Sequence, residues 1–108
     1  MPTIDDWTAL GVRIGRIVRA EPNQGSREPA YSLWIDFGDL GELQSSAKIT
    51  DRYAADELVG KAVVAVTGFE PKRIGGFRSD VLVVGAVTSD GVVLIEPDQD
   101  VDPGTVVA

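Results

Sequence analysis

The sequence contains no cysteine and no histidine. Without cysteine there is no disulfide and no thiolate nucleophile; without histidine there is no imidazole base, and the usual zinc ligands are missing altogether. Most enzyme templates fall with them. No serine, lysine or carboxylate stands beside an activating partner in a recognisable motif, so no catalytic residue, metal or cofactor is expected. Long apolar runs are also lacking. None approaches the roughly 20 residues of a membrane span, and the opening MPTIDDWTAL has neither the basic region nor the apolar stretch of a signal peptide. No membrane insertion is expected, and the cytoplasm is the expected location. The one run that resembles a cation loop, Asp98, Asp100 and Asp102, fails as an EF-hand. Its sixth position is Pro103 where glycine is required, and its twelfth would fall beyond residue 108.

What the chain does have is the composition of a folded domain. Hydrophobic residues make up 44% and charged residues 25%, which argues against disorder. At 108 residues one hydrophobic core is expected, giving a single domain over residues 1–108. Charge is unevenly distributed within the net of -7. Residues 1–60 carry six bases and ten acids, residues 61–79 four bases and one acid, and residues 80–108 six acids and no base. The basic segment is therefore local. Its centre is FEPKRIGGFRS, residues 69–79, where Lys72, Arg73 and Arg78 surround Gly75 and Gly76.

The pattern predicts a mainly β fold. TIDDWTAL reads as a short helix with Thr3 as N-cap, acids in its first turn and Gly11 at its end. Ile4, Trp7 and Leu10 form an apolar stripe on it. VRIGRIVRAEP is a β-branched first strand followed by the polar loop NQGSREPA. In YSLWIDF, Tyr31, Leu33, Ile35 and Phe37 alternate with Ser32, Trp34 and Asp36; in ELQSSAKI, Leu43, Ser45, Ala47 and Ile49 alternate with Gln44, Ser46 and Lys48. A helix is predicted over DRYAADELVG. AVVAVTGF and SDVLVVGAV read as continuous apolar strands flanking the basic loop, and VVLIEP as a further strand. Three strands, a helix and two strands is the order of an OB-fold, a five-stranded Greek-key barrel that binds ligands on strands two and three and on the loops joining strands 1 to 2 and 4 to 5. A small β-barrel or sandwich of another topology fits the same pattern.

In an OB-fold the basic segment would form one wall of the binding mouth. Arg27, in the first loop, and Lys48, on the polar face of strand three, would project toward it. Lysine and arginine supply charge-assisted bonds to phosphate, and the glycine pair permits close backbone approach. The competing reading is a solvated turn with Glu70 neutralising Lys72 or Arg73. Ser45 and Ser46 could bond a sugar or phosphate, although Ser45 has the inward parity of its strand, so that one of the two satisfies a backbone group. Trp34, opposite the core side of its strand, either stacks a base or is covered by a subunit or helix. Arg13, Arg16 and Arg19 do not share a face by parity and are expected to be solvated or paired with acids.

The ordered motifs WTALGVRIGRIVRAEP, EPAYSLWIDFG, LQSSAKIT, YAADELVGKAVVAV, FEPKRIGGFRSDVLVVG, VVLIEPD and PGT resemble the tRNA-binding-domain family, most closely its CsaA secretion-chaperone branch. The resemblance covers nearly the whole chain. It implies an OB-fold with N- and C-terminal additions that form a homodimer, tRNA binding without catalysis, and a chaperone role toward exported proteins. It also implies a ligand surface of Ser45, Ser46, Lys48, Pro71, Lys72, Arg73, Gly76, Arg78 and Ser79, and suggests that Ile4, Trp7 and Leu10 cover the barrel end or a second subunit. Two residues depart from the family pattern: a glutamine is usual where Lys48 stands, and an asparagine where Gly68 stands. Two functions compete, binding of tRNA or other structured RNA and holding of extended, preferably basic, polypeptides on the same surface. The acidic net charge favours the second.

Overall fold

The computed structural model describes all 108 residues. Helix α1 (Ile4–Leu10) begins where predicted, because Thr3 and Asp6 cap each other. The Thr3 N–H donates to the Asp6 carboxylate at 2.7 Å, and the Asp6 N–H donates to Thr3 Oγ1 at 3.4 Å. Gly11, at φ +59°, ends it. Strands β1 (Val12–Pro22), β2 (Tyr31–Asp36) and β3 (Glu42–Ala47) follow, then the single turn α2 (Ala55–Leu58) and strand β4 (Ala62–Val66).

The predicted continuous strand after the basic segment is not continuous. It divides into β7 (Leu82–Val83) and β8 (Gly85–Thr88), the latter pairing with β9 (Gly91–Leu94) in a separate hairpin. An unbroken valine-rich run carries no phase, so sequence gives no sign of the point where the chain leaves one sheet for another. The basic segment itself is a hairpin, β5 (Lys72–Ile74) and β6 (Phe77–Ser79). Gly75 and Gly76 both have positive φ, +59° and +79°, the two-residue geometry that matches strand twist.

The main sheet runs β3-β2-β1-β4-β7, and every pairing is antiparallel. Closure comes from the segment after the basic hairpin: the N–H groups of Asp80 and Val81 both donate to the Gln44 carbonyl, at 2.7 and 3.3 Å. The result is the OB-fold barrel, nearly closed, with α2 between β3 and β4. A bulge at Val18 lets β1 serve two neighbours, β4 along Val12–Arg16 and β2 along Arg16–Pro22. It also places Arg16 and Arg19 on one face, opposite Asp36 and Trp34, which simple alternation does not anticipate.

Inside the barrel Ile17, Leu33, Ile35, Phe37, Leu58 and Val63 are fully buried. The inward row read from β2 and β3 is the observed one, Ser45 included, while Ser32, outward by parity, is buried as well. Gly15 has no side chain because Phe37 and Ile35 lie where its Cβ would be. Residues 104–107 return to the start of β1: Ile14 N–H donates to the Thr105 carbonyl at 2.9 Å, Val107 N–H to the Val12 carbonyl at 2.9 Å, and Arg13 Nη1 to the Gly104 carbonyl at 3.0 Å.

Candidate nucleic-acid interface

On the outer face of β1, β2 and β3 two cross-strand rows lie side by side. One is Arg19, Trp34 and Gln44; the other is Glu21, Ser32 and Ser46. Trp34 is held from several directions. The Arg19 guanidinium sits 4.3 Å from its ring centroid, and Phe77 of the basic hairpin meets it edge-on at 5.4 Å. With the Gln44 amide oriented to suit its neighbours, its oxygen accepts from Trp34 Nε1 at 2.9 Å and its nitrogen donates to the Arg78 carbonyl at 3.1 Å. The partial cover over this tryptophan comes from Arg19 and the basic hairpin, not from a helix.

The hairpin crosses over these rows and is fastened at both ends. At its base the Ser46 N–H donates to Ser79 Oγ at 3.0 Å, and the Gln44 N–H to the Asp80 carboxylate at 3.0 Å. At its tip Asn23 Nδ2 donates to the Ile74 carbonyl at 3.0 Å. There Gly25 and Gly75 meet backbone to backbone, so closely that a Cβ on either would overlap the other's main chain. The loop between β1 and β2 and the basic hairpin therefore form one continuous wall.

Against that wall lies an open cavity of about 800 Å³ lined by Arg27, Lys48, Lys72 and Arg73, with Glu28 beside them. The sequence expectation that cations from separate segments converge is met for these four. They differ in availability. Lys48 forms an ion pair with Glu28, and the pairing holds the Glu28 carboxyl below the usual carboxylate range, through the hydrogen bond first and the charge second. Arg27, Lys72 and Arg73 have no carboxylate partner; Glu70 does not neutralise the hairpin. Arg78, directly opposite Arg73 in the ladder, is tied to Asp80 at 2.7 Å. That pairing relieves the repulsion of like charges placed across a hairpin, and takes Arg78 away from the cavity.

Ser45, expected at the ligand surface, faces inward. It is fully buried, and its hydroxyl donates to the Ser46 carbonyl at 3.3 Å. Ser46 and Ser79 line a second cavity of about 500 Å³, with Phe69, Ile74, Val81 and Leu82 supplying its apolar surface. Pro71 is exposed just before the hairpin, and Gly76 is exposed at its tip with no neighbour at its Cβ position. Arg16 and Arg19 are paired with Asp100 and Glu21, at 2.8 and 2.9 Å, as expected for solvated strand arginines. Residues 98–102 form no acid cluster able to hold a metal. Ile4 is exposed, Trp7 is 40% exposed and Leu10 half-exposed, so the apolar stripe is only partly covered within the chain. Sequence reasoning missed Glu28, Asn23, Gly25, Ser32 and Phe77, whose roles arise from contacts across the fold and leave no local signature.

The family model described as "Putative tRNA binding domain" matches residues 12–106. The chain belongs to the tRNA-binding-domain family. Among solved structures, the chaperone CsaA of Bacillus anthracis str. Ames is 45% identical with a TM-score of 0.93, over 100% of this chain and 99% of that one. The CsaA chaperone protein of Picrophilus torridus is 44% identical with a TM-score of 0.93, covering both chains completely. Among curated proteins, the methionine--tRNA ligase of Archaeoglobus fulgidus is 34% identical over 103 residues, 95% of this chain and 15% of the ligase. Relatives of that kind contain the tRNA-binding domain as a small part of a longer protein.

Gly68, before the hairpin, sits where a side chain has no room. Its N–H donates to the Leu10 carbonyl at 2.8 Å, and a Cβ there would overlap the Ala9 carbonyl oxygen. The missing side chain lets α1 seat against the end of β4.

Proposed function

We propose that this chain is a non-catalytic, homodimeric OB module that binds tRNA or another structured RNA through phosphates. The observation that carries the proposal is the convergence of Arg27, Lys72 and Arg73, all without carboxylate partners, on one open cavity beneath a wall fastened at both ends. Lys48 lines the same cavity; Ser46 and Ser79 in the neighbouring one, with Pro71, Gly76 and Arg78 of the hairpin, are proposed to extend the contact. Such contacts position RNA without reading its sequence. The acidic remainder of the molecule limits binding to the local site, because exposed charges are screened beyond about 8 Å at physiological salt. An RNA ligand makes the cytoplasm the place of action.

If each of two subunits neutralises about three phosphates, log affinity falls by roughly four to five per log unit of salt, at about 0.7 to 0.9 per contact. Substituting Lys72→Ala and Arg73→Ala together lowers that slope by roughly 1.5 per subunit and leaves thermal unfolding unchanged. Salt-independent binding would refute the phosphate reading.

A second reading, a chaperone that holds extended polypeptides on the same surface, is favoured by the partly apolar cavity at Phe69, Ile74, Val81 and Leu82 and by the likeness to CsaA chaperones. Competition between tRNA and an unfolded basic peptide at two salt concentrations separates the two ligands. Mutual displacement assigns them one surface, and preference for acidic peptides counts against the chaperone reading.

A further inference from the structure

Parity places Ser32 on the outer face of β2 beside Trp34, where a small polar residue would be solvated. Instead it is buried, with 4% of its surface exposed. The basic hairpin and the loop after β1 lie beside it and border a third cavity, a wide-open groove of about 580 Å³. The Ser32 hydroxyl makes no hydrogen bond within the chain, yet it is not sealed off, since no buried side-chain oxygen is left without a partner. It therefore opens into the cavity. Its oxygen is reachable by water, and a bound ligand with a hydrogen-bonding atom could take that water's place.

The other walls define the partner. Trp34 and Phe77 supply aromatic surface, fixed by their mutual contact and by Arg19. Glu21 and Asn23 supply acceptor oxygens; the Asn23 amide nitrogen is occupied by the Ile74 carbonyl, which leaves its oxygen unengaged. Gly75 lines this cavity and the cation-lined cavity alike. The two are thus the two sides of one glycine ridge, with aromatic rings and acceptors on one side and unpaired cations on the other.

We propose that the cavity between β2 and the basic hairpin is a nucleobase pocket, which takes one unpaired base of a bound RNA while its phosphates lie among Arg27, Lys72 and Arg73. The inference rests on the RNA reading above and adds a specific element to it. Aromatic surface beside acceptors fits a heterocycle bearing N–H donors, and an open groove suits a base that remains attached to its strand. Splayed-out single-stranded bases are the part of RNA that proteins read in this way. The charge-assisted contacts bring the strand in, and the pocket favours segments that have a free base at the ridge.

The test compares a short single-stranded oligoribonucleotide with the same oligomer carrying one abasic ribose at its centre, their phosphate counts being equal. Binding to the full chain is read by fluorescence anisotropy. The intact oligomer should bind about tenfold more tightly, within the span of one base–aromatic stack of about 1–3 kcal/mol. Phe77→Leu, which keeps apolar cover over Trp34, and Ser32→Val, which removes the hydroxyl and narrows the groove on a strand that suits a β-branched residue, should each remove most of that difference and leave the abasic oligomer unaffected. Lys72→Ala with Arg73→Ala should weaken both oligomers alike. Equal binding of the two oligomers to the unaltered protein would overturn the nucleobase pocket while sparing the phosphate site. Failure of both to bind at low salt would overturn the RNA reading and the pocket together. An uncharged extended peptide whose binding is lost in Phe77→Leu, with no discrimination between the oligomers, would assign the cavity to polypeptide and likewise overturn it.

Discussion

Glu28 sets how much of the positive charge at the mouth can act. It is the carboxylate that lines the cation cavity, and it occupies Lys48. Both side chains are largely exposed, at 64% and 65%, so the pair adds little to folding; its effect is on the field a ligand meets. Glu28→Gln should release Lys48, tighten RNA binding and steepen the salt slope by roughly 0.7–0.9 per subunit, measured by anisotropy across a salt series. A slope unchanged by the substitution would mean that Lys48 does not reach phosphate. The pH dependence has a definite sign. A carboxyl held below its ordinary range gives up its pairing only as pH falls through that lowered value, so Glu28 stays ionised and Lys48 stays occupied throughout the neutral range. Sequence places Glu28 one residue from Arg27, but the pairing with a lysine twenty positions on exists only once β2 and β3 have brought loop and strand together.

At the level of elements, the hairpin and α1 are each seated by glycines that leave room for backbone. Gly75→Ala introduces a Cβ into the Gly25 main chain and also demands positive φ of an alanine; Gly76→Ala bears only the second burden, having nothing within 4 Å. Left-handed backbone costs an alanine about 1–2 kcal/mol, so both variants should melt earlier. Gly75→Ala should lose more stability than Gly76→Ala and more RNA affinity, and equal losses would show that the two loops are not joined at that point. Gly68→Ala should cost about 1–3 kcal/mol as overpacking, seen as a fall of several degrees in Tm and loss of α1 from hydrogen-exchange protection. How far these elements could be read in advance depended on phase. Tyr31 to Phe37 and Leu43 to Ile49 alternate cleanly, and their faces follow from that alone. The run from Val81 to Val87 has no alternation to follow, and its division between two sheets went unseen. The hairpin strands are three residues each and polar at alternate ends, too short to outweigh the appearance of a loop.

At the scale of the whole molecule, the exposed stripe of Ile4, Trp7 and Leu10 is the surface by which a second copy would be recognised. None of its residues is buried by this chain, and Val106, on the returning segment beside β1, is exposed as well. Sedimentation at micromolar concentration should show twice the chain mass, and Trp7→Asp should shift the protein to the single-chain mass without disturbing the barrel. A wild-type chain that sediments only as monomer would contradict the dimer. The returning segment has a temporal side too. The early half of the first strand takes some of its backbone partners from residues 104–107, about ninety positions later. During synthesis, therefore, the opening strand waits with part of its edge unfilled while about ninety further residues are made. Until residues 104–107 have emerged the sheet is incomplete, and a chain shortened before residue 104 keeps an edge open to other strands.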